Sequence, residues 1–149
     1  MKNSLEIVLK SVYCGAARRV VTLAINGVDA VTPFLDALQK SQHAEFNQLR
    51  TCMRVIAEHR HYQNERKFKN LGGGLYEIKT RLGLRVYAFL DDLPVCEQQL
   101  VIAACGGGKN TSKEQNRDIE RAREIHARYL NAKQNERTHV VFIPLKDEN

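Results

Sequence analysis

The chain has 149 residues, 43% of them hydrophobic, which suits one domain (1–149) with a core of its own. No apolar run is long enough to span a membrane, and the opening MKNSLEIVLK alternates and carries Glu6, so neither a membrane segment nor a signal peptide is expected. Cys14, Cys52, Cys96 and Cys105 form no CxxC pair and have no histidine within four residues, which argues against a zinc site or a disulfide framework. A reduced, cytoplasmic protein with no metal and no cofactor is the expectation.

Leu5 to Leu9 and Val20 to Ile25 read as two paired strands connected through Cys14 to Arg19, and Asn26-Gly27 breaks the second. Thr32-Pro33 starts a short helix, a hydroxyl cap followed by proline, with Val31, Phe34, Leu35 and Leu38 as its apolar stripe. Ser41 is the candidate cap of a longer helix to about His59, burying Phe46, Leu49, Met53 and Ile56. His59 to Lys69 is polar, basic and aperiodic, hence a loop, with Phe68 and Leu71 as anchors. His59 and His61 have no carboxylate or thiol nearby to complete a metal site.

Gly72 to Asp92 alternates apolar and polar residues about a break at Gly83, the pattern of a half-buried hairpin. A three-residue loop, Leu82 to Leu84, pairs Arg81 with Arg85 and Lys79 with Tyr87. Lys79, Arg81, Arg85 and Tyr87 then share one face, and like charges set so close imply an anionic ligand or a solvated surface. Asp91-Asp92 reads as a turn. Leu100 to Cys105 is continuously apolar, as in a central strand covered on both sides.

The following CGGGKNTSK lacks the first glycine of a phosphate-binding loop, and Asn110 stands where the hydroxyl after the lysine should be, so a nucleotide cofactor is not expected. Thr111 or Ser112 caps a last helix, about Lys113 to Leu130, with Ile119, Ala122, His126, Tyr129 and Leu130 as its buried stripe and Ile125 at the edge. Thr138 to Ile143 is a final strand.

The formal charge is +6 and the pI near 9.3. Between Arg50 and Arg85 nine basic residues face three acids, the same excess as the whole chain carries. A basic region of this density favours a polyanion, nucleic acid first and an acidic protein second.

The segments Lys69-Asn70-Leu71, GGGLYEIKTR leading into RVYAFLDD, LVIAACGGGKNTSK and DIERAREI come in an order that resembles the RelE/ParE superfamily of bacterial toxins, in its phage-derived, HigB-like branch. The resemblance covers about Val20 to Leu130 and leaves both end strands outside. It implies an α+β fold: a small, mainly antiparallel twisted sheet carrying an N-terminal helix hairpin, with a C-terminal helix and here extra N- and C-terminal strands. It also implies a toxin silenced by a cognate antitoxin, many members being mRNA interferases that cut messages in the ribosome without a metal.

By position, Lys79 matches a catalytic lysine, Arg85 the arginine that holds the scissile phosphate, and Lys109 the basic group after the following strand. Glu77 stands where RelE has a second lysine, and the late tyrosine is replaced by Asn116 and Arg117, which leaves Tyr87 as its substitute. Arg81 adds positive charge, Lys79 or Glu77 is the expected base, and Arg66, Lys67, Lys69 and Lys113 are the expected nucleic-acid contacts. Two alternatives go with the departures: a non-nuclease toxin that inhibits a partner such as DNA gyrase, and a degenerate basic nucleic-acid-binding domain.

Overall fold

The computed structural model describes residues 5–62, 64, 66–94, 96–108 and 111–146. Strands β1 (Glu6–Cys14) and β2 (Arg18–Ile25) pair antiparallel, as the sequence suggests, but β1 continues past Leu9 through a bulge between Ser11 and Tyr13. The turn between them touches the end of the second helix. A Cβ on Gly15 would lie 2.4 Å from the Ala57 carbonyl carbon, so only glycine fits there. Asn26 and Gly27, both at positive φ, turn the chain into the short β3 (Val28–Asp29).

Helix α1 spans Thr32–Ser41 and α2 spans His43–Glu58. Both expected caps are displaced by one residue. Val31 rather than Thr32 is the cap residue of α1, and the free amides of Val31 and Thr32 both donate to Asp29 Oδ1 at 2.9 Å, so an aspartate upstream does the capping. Ser41 ends α1, its hydroxyl donating to the Ala37 carbonyl at 2.8 Å, and Gln42 separates the helices.

The expected loop ends early, because Phe68 begins β4 (Phe68–Gly72), which pairs with β5 (Leu75–Lys79). Then come β6 (Arg85–Asp91), β7 (Gln99–Gly107), α3 (Ser112–Gln134) and β8 (His139–Ile143). Among the described residues these strands make one open, twisted sheet in the order β4-β5-β6-β7-β2-β1-β8, with β3 beside β2. Only the β2–β7 and β1–β8 pairs are parallel, so the sheet is mainly antiparallel as expected.

Helices cover both faces. Leu35, Leu38, Leu49, Met53 and Ile56 of α1 and α2 pack on Val20, Ile78, Val86, Ala88, Val101 and Ala103. Ala122, Tyr129 and Ala132 of α3 pack on Leu9, Val21, Leu75, Tyr87, Phe89 and Ile102. This double cover is why β7 reads as an unbroken apolar run. Thr111 caps α3 through a reciprocal box with Glu114. The helix runs past the expected end at Leu130, and Leu130 itself is 45% exposed rather than buried.

The β5–β6 register differs from the expected one by two residues. Lys79 pairs with Arg85 and Glu77 with Tyr87, because Thr80 closes a five-residue turn: its amide donates to Leu84 O, and its hydroxyl accepts from Leu84 N at 3.0 Å. A slip of two preserves the faces, so Ile78, Val86 and Ala88 still point into the core. Arg81 falls in the turn.

Candidate functional site

On the face covered by α3, two rows of side chains cross the sheet. In one, Lys69, Glu77, Tyr87 and Cys105 stand on β4 to β7 at paired positions. In the next, Lys79 and Arg85 pair, with Gly107 beyond them. Lys79, Arg85 and Tyr87 are therefore brought together as expected, with Glu77 in their midst.

Arg85 Nε lies 3.3 Å from Glu77 Oε2, an ion pair whose side chains are 13% and 12% exposed. Yet Arg85 Nε is a buried donor without an aligned hydrogen bond, so this contact is Coulombic; Arg85 Nη1 donates to Gly83 O at 3.1 Å. Tyr87 is 1% exposed, and among the described residues its buried hydroxyl has no hydrogen-bond partner. Burial, and after it the Glu77 carboxylate, push the Tyr87 phenol up to about 12 against the opposing pull of Arg85. Two neighbouring polar atoms of β6 thus lack hydrogen bonds in a protein interior, where such groups are ordinarily satisfied.

The sequence-derived candidates do not all converge here. Arg81 is exposed in the turn and shares a shallow hollow with Asn47, Gln48, Thr51, Cys52 and Lys67. It therefore does not join the Lys79–Arg85–Tyr87 face, because β5 ends at Lys79. Arg66 and Lys69 are exposed on the loop and edge strand, and Lys113 is exposed in the first turn of α3. Lys109 lies outside the described residues. Cys105 donates its thiol to Asp118 O at 3.5 Å, and burial pushes the thiol up to about 11, so it is a packing residue and no nucleophile.

α3 is fastened over this face at two places. Arg123 donates to Gly72 O at 3.0 Å and Leu71 O at 3.2 Å. The glycine turn that offers these carbonyls is closely packed: a Cβ on Gly74 would stand 3.1 Å from the His126 ring, which itself stacks on Phe89 at 4.2 Å. Farther along, Tyr129 Oη donates to Asp91 Oδ2 at 2.6 Å and Lys133 Nζ lies 2.7 Å from the same oxygen. Burial raises the Asp91 carboxyl, but the bonds from Lys133, Tyr129 and the Asp92 amide outweigh it and hold the group below the usual aspartate range. The expected turn at Asp91 is thus the last residue of β6 and an anchor for α3. Its role was hidden because its partners come about forty residues later.

Among the described residues no group of three His, Cys, Asp or Glu could hold a metal ion, and no helix is long and apolar enough to cross a membrane. No family model, curated protein or solved structure matches the chain.

Proposed function

We propose that the protein is a metal-independent mRNA endoribonuclease acting on messages in the ribosome, the toxin of a type II toxin–antitoxin pair in the cytoplasm, built as a RelE-like domain of the HigB-like branch. The observation that carries this reading is the meeting of Glu77, Lys79, Arg85 and Tyr87 on two paired strands. Together they supply a base, two cations and a proton donor, the set that RNA cleavage without a metal requires.

In this scheme Glu77 removes the proton of a 2′-hydroxyl, and that oxygen attacks the adjacent phosphorus. Arg85 exchanges its contact with Glu77 for the phosphate, and Lys79 shares in neutralising the phosphorane. The P–O5′ bond then breaks, leaving a 2′,3′-cyclic phosphate, and the Tyr87 phenol protonates the departing 5′-oxygen. A phenol held near 12 keeps its proton at neutral pH, which suits a donor and not a base. Because Tyr87 is buried, α3 must yield when the substrate enters.

Induced expression should arrest growth and leave breaks inside translated messages. Arg85→Ala should relieve both by about a hundredfold or more in cleavage rate, the usual loss when a transition-state charge partner is removed. Arrest with intact messages would overturn the nuclease and favour inhibition of a partner such as gyrase; normal growth would favour a basic nucleic-acid-binding domain.

A further inference from the structure

The opposite face of the sheet carries a second polar site. A cleft of about 660 Å³ opens beside α2, lined by Arg18, Arg60, His61, Tyr62, Asn64, Phe68, Asn70, Tyr76, Leu90 and Gln99. Its volume lies in the range of small-ligand pockets. Three aromatic rings form one wall: Tyr62 and Phe68 stack at 6.4 Å, and Phe68 and Tyr76 at 4.8 Å. Tyr62 and Tyr76 remain half-exposed.

Arg18 is the unusual member. It is 5% exposed on a central strand, its guanidinium 5.5 Å from the centre of the Phe68 ring. Nε donates to Gln99 Oε1 at 2.9 Å, Nη1 to Ile56 O at 3.4 Å, and Nη2 to Arg60 O. These bonds fix its plane but occupy only three of the roughly five N–H groups a guanidinium carries, and every partner is neutral. No carboxylate among the described residues lines the cleft, while Arg60 adds a second cation. A buried cation is ordinarily paired with an anion. Among the described residues everything is prepared for Arg18 but the anion.

We propose that this cleft binds a nucleotide, as a free monophosphate or as one unit of single-stranded RNA. The base stacks on Tyr62 or Tyr76, the amides of Asn64 and Asn70 read its edge, and the phosphate sits on Arg18 and Arg60. Aromatic rings beside cations suit this ligand better than a simple oxyanion, which would have no use for the rings. The site lies on the other side of β5 from Glu77, since Tyr76 and Glu77 are consecutive. It does not depend on the nuclease reading, since a binding domain without catalysis would use it equally.

Calorimetric titration of the purified chain with adenosine and uridine monophosphates, a uridine tetranucleotide, ribose 5-phosphate and inorganic phosphate tests the assignment. The chain has no tryptophan, so quenching of tyrosine emission gives a second readout of stacking. A monophosphate or the tetranucleotide should bind, and the phosphates without a base about tenfold more weakly or not at all. Binding by monophosphates identifies a free nucleotide as sufficient; binding by the tetranucleotide alone identifies RNA.

Tyr76→Leu, which retains an apolar side chain, and the exposed Arg60→Ala should each weaken binding about tenfold. Failure of all base-bearing ligands to bind would overturn the proposal. So would equal binding of ribose 5-phosphate, or full affinity in both cleft variants. None of these results bears on message cleavage, so the two readings fail separately.

Discussion

Tyr87 is the residue at which stability and the proposed chemistry are set against each other. Its hydroxyl is buried without a hydrogen bond, an arrangement that costs a folded protein on the order of 1–3 kcal/mol. Tyr87→Phe should therefore raise stability in chemical denaturation by about 1 kcal/mol, while abolishing message cleavage if the phenol is the proton donor. An unchanged cleavage rate would remove Tyr87 from the mechanism. The contrast with Cys105 is instructive. That thiol is buried too, but Asp118 O accepts its hydrogen, so no polar atom is left over for a ligand.

At the level of elements, the attachment of α3 is expected to depend on acid. Asp91 is held below the ordinary aspartate value in the folded protein, so it favours folding most above about pH 4, where the unfolded side chain is also ionised. That contribution is lost as pH falls through the depressed folded value. Hydrogen exchange should show the Tyr129–Lys133 turn of α3 opening in that window. Asp91→Asn should open the same turn at neutral pH and remove the dependence; an unaltered pH profile would mean that the Asp91 contacts do not hold the helix.

Elements were legible in the sequence where one local pattern fixes them. β7 and the two helical stripes follow from apolar spacing, and the faces of β5 and β6 survive a register error because a shift of two residues keeps their parity. What was not legible rests on side-chain hydrogen bonds that apolar spacing does not encode, some local and some distant. Asp29 caps α1 from a strand, Thr80 lengthens a turn by bonding across it, and Asp91 meets α3. The cleft around Arg18 is the extreme case, since β2, the loop after α2, β4, β5, β6 and β7 all contribute to it. Read locally, Arg18 and Arg19 are merely a basic pair at the end of the connection before Val20, whereas β2 begins at Arg18. The burial of Arg18 comes from the parallel partner Gln99, which no short-range pattern announces.

Across the whole molecule the positive charge gathers around the β4 edge, with Arg66, Lys67 and Lys69 exposed there. An acidic antitoxin segment, of the kind the proposed function calls for, would be steered to that edge and would order only on docking. Paired charge reversal, Lys67→Glu with Lys69→Glu, should slow association severalfold at low salt and by less as salt is added. Stopped-flow rates that do not respond would put the contact elsewhere, most directly on the exposed surface of α2.

The parallel pairing of β1 with β8 also bears on how the chain acquires its shape. Glu6 lies against His139 and Lys10 against Ile143, so β1 waits for a partner strand made far downstream of it. β2 likewise waits for β7. During synthesis the half containing β1, β2, α1 and α2 therefore has no sheet to close against, and the long loops that must be shut make the final assembly slow. The rows on β5 and β6 take their β7 neighbours and their α3 cover only after the chain has been made through Gln134. A copy cut short before β7 and α3 therefore leaves both sheet faces unfinished and open to proteases.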